Sequence, residues 1–163
     1  KRGAGPGLSG GVGRSHYEDV LIGRVRHLAD DAEIERRYGA INAFEKGLVD
    51  RGIRIVKVML HISSDEQKAR LAERLDRPDK YWKYNPADVD ERALWPQYMD
   101  AYQTVFDRTS TPDAPWFVVP ADRKWYARLA VQALLLDALE DIDPQWPAAH
   151  FDVALEKRRL AAT

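Results

Sequence analysis

Two groups of side chains in this sequence have types and spacings that could meet an anion. The first is Arg14-Ser15-His16-Tyr17-Glu18-Asp19. It sets a cation, a hydroxyl, an imidazole, a phenol and two carboxylates at what reads as the mouth of a helix. Ser15 and Glu18 have the spacing of a capping box. A helix start favours anions, because its free N–H groups and its dipole point the same way. Taken alone, the six residues are better read as an ordinary capped helix with a surface arginine. The second group is Arg70, Arg74, Arg77, Lys80 and Lys83, interleaved with Tyr81 and Trp82. Cations mixed with aromatics suit single-stranded nucleic acid.

The bulk properties narrow the class. The 163 residues suit one domain or most of one. The net charge of -1 gives no global basic field to recruit nucleic acid or an anionic membrane. With no cysteine, disulfides and thiolate metal sites are excluded. His16, His27, His61 and His150 lack metal-site spacing, and no metal ligands are assigned. No apolar run is long enough to span a bilayer, and the first residues lack the apolar core of a signal peptide. The expectation is a cytoplasmic protein without a membrane segment.

Positioning elements follow from periodicity. Residues 1–13 hold six glycines and a proline, a composition that does not fold alone. The run lacks the Gly-x-x-x-x-Gly-Lys-Ser/Thr of a phosphate loop, so it is expected to be a disordered or non-native leader. A helix is expected from Ser15, with Val20, Leu21, Val25 and Leu28 on its apolar side. A second covers about Glu33 to Asp50, with a stripe of Ile34, Tyr38, Ile41, Phe44 and Leu48, and Gly52 stops it. Ile53 to Ile62 reads as a buried parallel strand. Ser63 caps the next helix, Ser64 to about Leu75, with Glu66 three residues on. Asn85 and Pro86 start a helix to about Arg108, with a kink or break at Pro96. Trp116 to Val119 is a short strand ended by Pro120. A last major helix follows, in which Leu129, Leu134, Leu135, Leu136 and Leu139 are expected in the core. A charged tail closes with a helical segment, Ala148 to Leu160. Both strands are followed by helices, the unit of an α/β fold, where ligands bind beyond the carboxyl ends of the strands. Two strands are fewer than the ~5 of a typical sheet. The expectation is the back half of a larger α/β domain, completed from sequence before Arg14 or by another chain.

Six blocks occur in order: Arg14–Leu21 (RSHYEDVL), Ile41–Glu45 (INAFE), Lys57–Ser63 (KVMLHIS), Arg74–Lys83 (RLDRPDKYWK), Ala114–Asp122 (APWFVVPAD) and Lys124–Leu129 (KWYARL). Together they resemble the polyphosphate kinase 2 family, from about Arg14 to Pro147. The resemblance implies a helix-rich part of a P-loop kinase-like, three-layer α/β fold with parallel strands and a helical lid at about 70–108. Residues 14–147 would form the carboxyl-terminal part of that domain, and 148–163 a terminal helical tail. It implies phosphoryl transfer between inorganic polyphosphate and a nucleoside mono- or diphosphate, with magnesium, in a homo-oligomer. Arg14 matches the arginine after the second Walker motif and becomes the catalytic candidate, holding a phosphate. Arg70, Arg74 and Lys83 match the basic lid region, and Lys124 the block after the last strand, as phosphate-binding residues. The first Walker motif has no counterpart here. Gly13 stands where the family has Asp or Asn. The lysine that cradles phosphate and the carboxylates that hold magnesium are therefore not in this sequence. The expectation is a truncated chain, inactive alone. The alternative is a non-catalytic module for polyphosphate or nucleotide binding, or for oligomerisation.

Overall fold

The computed structural model describes residues 15–163. The glycine-rich leader and Arg14 lie outside the described residues. In order, the elements are α1 (Glu18–Val25), α2 (Asp31–Val49), β1 (Lys57–His61), α3 (Ser64–Asp76), a 3₁₀ turn (Pro78–Lys83), α4 (Ala87–Arg92), α5 (Trp95–Thr109), β2 (Trp116–Pro120), α6 (Lys124–Ile142) and α7 (Val153–Ala161). The strands pair in parallel, from Lys57 opposite Trp116 to His61 opposite Pro120. Parallel pairing needs a crossover, and everything from α3 to α5 supplies it. No helix among the described residues is long and apolar enough to cross a membrane.

Local signals near helix ends act as expected. Ser63 Oγ accepts the Glu66 N–H at 3.1 Å and starts α3 where β1 has just ended. Gly52 adopts φ +77° just after α2, a conformation that costs a residue with a Cβ. Asp30 caps α2 by accepting the Glu33 N–H at 2.8 Å.

Four expectations are corrected. The Ser15–Glu18 capping box does not form. Glu18 is the first helical residue rather than the third, so it cannot reach back, and Ser15 Oγ accepts instead from the Tyr17 N–H at 3.3 Å. The strand is shorter than Ile53 to Ile62, because β2 begins opposite Lys57 and 53–56 have no strand beside them among the described residues. The helix expected from Asn85 to Arg108 is two helices. Asn85 Oδ1 makes a turn to the Ala87 N–H at 3.1 Å, and the break falls just before Trp95, which leaves Pro96 in the first turn of α5. There its missing N–H costs nothing. Finally, Leu129, Leu135, Leu136 and Leu139 are exposed rather than in the core. The two-stranded sheet covers only one side of α6, and Leu134 is the leucine that packs there.

Burial divides into two clusters. Val20, Ile34, Tyr38, Ile41 and Val105 gather around Tyr17 where α1, α2 and α5 meet. Val119, Ala121 and Ala127 join α6 to the sheet, with Val58 and Ile62 against them. The α2 stripe departs from the sequence reading at one turn: Phe44 is exposed, and Glu45, four residues after Ile41, points inward.

Candidate functional site

A short set of hydrogen bonds ties together the carboxyl ends of β1 and β2. The Ser63 N–H donates to Asp122 Oδ1 at 2.7 Å. That bond holds the Asp122 carboxyl below the usual carboxylate range, and the Arg70 cation adds to the effect. Arg70 donates to Ala121 O at 2.8 Å and Asp122 O at 3.3 Å, and its Nε pairs with Glu66 at 2.7 Å. The result ties the start of α3 to the turn after β2. Beside it lies an open recess of about 350 Å³, lined by His61, Ser63, Pro120, Asp122, Arg123, Trp125 and Tyr126.

The segment from the 3₁₀ turn to α5 is laced by arginines to α3 and to the residue that follows α1. Arg92 donates to Ser64 O at 2.8 Å and Gln67 Oε1 at 2.7 Å. Arg74 Nη1 reaches both Lys83 O and Asp88 Oδ2 at 3.3 Å. Glu91 accepts from the Tyr98 hydroxyl at 2.7 Å and pairs with Arg26, the residue that follows α1. Lys83 Nζ sits 4.7 Å from the centroid of the exposed Trp82 ring. Neither Lys83 nor Lys124 makes an ion pair among the described residues.

The candidates from the sequence therefore differ in setting. Arg70 has its guanidinium engaged by protein carbonyls and Glu66. Arg74 is partly engaged, by a bond pair long enough to yield to a stronger anion. Lys83 and Lys124 keep their charges available. Arg14 is outside the described residues, but the turn that follows it, Ser15 to Tyr17, is in place.

A buried polar cluster was missed altogether. Lys57 Nζ donates to Glu45 Oε2 at 2.7 Å, to Thr109 O at 2.6 Å and to the Tyr17 hydroxyl at 3.2 Å. The Tyr17 hydroxyl in turn donates to Glu45 Oε1 at 2.6 Å. His16 Nε2 lies 3.5 Å from the same oxygen. Burial pushes the Glu45 carboxyl up, but the bonds from His16, Lys57 and Tyr17 outweigh it, and the net shift is downward. Burial also pushes the Tyr17 phenol up, and the bond to Glu45 pushes the same way. Two signals in the sequence pointed here. Glu45 stands at helical spacing from Ile41 on an apolar stripe, and Lys57 interrupts an apolar strand.

Comparison with known proteins assigns this arrangement to a family. The family model described as Polyphosphate kinase 2 (PPK2) matches residues 9–147. The chain belongs to the polyphosphate kinase 2 family. The crystal structure of Polyphosphate Kinase 2 from Arthrobacter aurescens TC1 is 60% identical, with a TM-score of 0.89 over 92% of this chain and 53% of that one. The polyphosphate kinase 2 fold expected from the six blocks, helix-rich α/β with parallel strands, is thus the observed one. An AMP/ADP-polyphosphate phosphotransferase of Meiothermus ruber is 46% identical over 134 residues, 82% of this chain and 50% of the relative. An ADP-polyphosphate phosphotransferase of Rhodopseudomonas palustris is 40% identical over 153 residues, 86% of this chain and 53% of the relative. The chain spans about half the length of the curated polyphosphate kinase 2 relatives it matches.

Proposed function

We propose that this chain serves phosphoryl transfer between inorganic polyphosphate and a nucleoside mono- or diphosphate, by binding polyphosphate along the lid and the strand ends. The observation that carries the reading is the placement of unspent cations. Lys124 opens α6 just after β2, and Lys83 sits beside Arg74 near the far end of α3 from the strand ends, which Arg70 and Asp122 tie together. Arg74 joins them by exchanging its contact with Asp88 for phosphate. Arg14 would add the cation nearest the reacting group. Closely spaced polyanion charges suit such a strip, since fixed cations neutralise them without reorganising.

Chemistry asks for more than this sequence holds. Phosphoryl transfer rests on positioning and on neutralising the transferred group. Magnesium is the metal that the resemblance implies. Among the described residues no three His, Cys, Asp or Glu side chains come together, and no step is routed through a metal ion. The sequence also contains no Gly-x-x-x-x-Gly-Lys-Ser/Thr. The second reading, a polyphosphate-binding module without turnover of its own, draws on these same two facts. Self-association and a cytoplasmic setting complete the proposal, with sedimentation and a fluorescent fusion as their checks.

One experiment tests both readings. The chain is titrated with inorganic polyphosphate, and is then given magnesium, polyphosphate and AMP or ADP while product is measured. Binding without turnover is the expected outcome for the chain on its own. Turnover at ordinary kinase rates, ~1 per second or more, refutes the inactive reading. No binding at all refutes both.

A further inference from the structure

We propose that Lys57, together with Glu45 and Tyr17, is a positioning device for the turn that carries the phosphate-contacting segment. The three residues hold Ser15 to Tyr17 at one place against the sheet, and Arg14 leads directly into that turn. The proposal rests on the reading above in one respect only, that Arg14 contacts phosphate.

The cluster joins four parts of the chain at a single ammonium group. Lys57 opens β1, Glu45 comes from α2, Thr109 ends α5 and Tyr17 precedes α1. All three ammonium donors are used, on Glu45, Thr109 O and the Tyr17 hydroxyl. The Tyr17 hydroxyl both donates and accepts, so its position is set from two sides. Trp116 closes the last side. Its ring lies edge-on to Tyr17 at 4.8 Å, and its Nε1 donates to Thr109 Oγ1 at 3.0 Å. Lys57, Glu45 and Thr109 are all buried.

Two observations make this a device for direction rather than for bulk stability. A buried ion pair is a weak source of net stability, because desolvation offsets its attraction, and apolar groups of the same volume often do as well. Hydrogen bonds, unlike apolar contacts, fix both distance and angle. Moreover, α1 starts without help from a side-chain cap. Tyr17 is its N-cap residue and makes no cap bond, so the turn is not placed by the usual means. The phenol, anchored 28 residues away on Glu45, places it instead.

The test uses Tyr17→Phe, which keeps the ring in its packing and removes one hydroxyl. Amide hydrogen exchange at residues 15–20 should speed up by about tenfold or more, the scale of a lost hydrogen bond to a charged group. Exchange in α3 should stay unchanged. Binding of inorganic polyphosphate should weaken by a similar factor. In an Arg14→Ala background, Tyr17→Phe should weaken it no further. The double variant Glu45→Leu with Lys57→Met, which leaves no buried charge alone, should loosen the same turn. Unchanged exchange at the turn in a folded Tyr17→Phe chain overturns the proposal. So does a loss of protection spread equally over α3 and α6, and so do Tyr17→Phe and Arg14→Ala effects on binding that simply add. A wild-type chain that binds no polyphosphate overturns the phosphate half, and the exchange result then decides the positioning by itself.

Discussion

Replacing Glu45 by alanine leaves the Lys57 ammonium in a site where only 6% of the residue is exposed. Its remaining partners are two neutral oxygens, Thr109 O and the Tyr17 hydroxyl. Removing one member of a buried ion pair costs about 3–5 kcal/mol, because the other charge stays desolvated and unpaired. Against a typical total of about 5–15 kcal/mol, this is a large share of the stability. Urea unfolding followed by circular dichroism measures it. With a denaturant slope of about 2 kcal/mol/M, the midpoint should fall by about 2 M. Glu45→Leu with Lys57→Met removes both charges and should stay within about 1–2 kcal/mol of the wild type. A pH series adds a signature. The Glu45 carboxyl is shifted downward in the folded state, so its stabilisation is present above the unfolded carboxylate value of about 4.3. It is lost as pH falls through the lower folded value. The double variant should lack that acid loss. A Glu45→Ala midpoint within error of the wild type refutes the reasoning. So does a double variant as unstable as the single one.

Three further expectations follow from particular contacts. Arg70→Ala should lower the thermal midpoint, since it frees Ala121 O and Asp122 O, while Lys83→Ala should leave stability within about 0.5 kcal/mol and weaken polyphosphate binding in a salt-dependent way. The pair of measurements reverses if Arg70 is a ligand residue and Lys83 a structural one. Gly52→Ala should cost about 1 kcal/mol, because φ is +77° there while a Cβ meets nothing within 4 Å. A neutral result in chemical denaturation contradicts the conformational account. Ser63→Ala should cost about 1 kcal/mol through loss of the Glu66 N–H bond, and exchange at the first turn of α3 should rise with it.

What could be read in advance was short-range. Ser63 and Gly52 act through neighbours within a few residues, so their roles showed in the spelling of the chain. The run Trp116–Val119 is compact and apolar, and the strand expected there formed, running on through Pro120. The helix expected at Ser15 failed by two residues, enough to undo a capping box whose geometry tolerates no slip. The leucines of α6 were misread because periodicity describes what a helix offers, and only the neighbouring layers decide what is covered. Glu45 and Lys57 were hidden for a different reason. A charge becomes a core residue only when a partner arrives, and their partners, Tyr17 and Thr109, lie 28 and 52 positions away. The lid cations were legible as cations. Which of them are free was not, because Asp88, Asp122 and the carbonyls that occupy Arg74 and Arg70 come together only in three dimensions.

The pairing of β1 with β2 also sets an order of assembly. Register partners Lys57 and Trp116 are 116 − 57 = 59 positions apart. Closing a loop of that size costs about 2 kcal/mol more than closing one of five residues, by the logarithmic growth of closure entropy. The segments α3, α4 and α5 lie inside the loop and make their own contacts, such as Arg92 on Ser64 and Tyr98 on Glu91. These shorten the effective span before the strands meet. The crossover thus acts as a folding splint: the segments that separate the two strands in sequence are also the ones that bring them within reach.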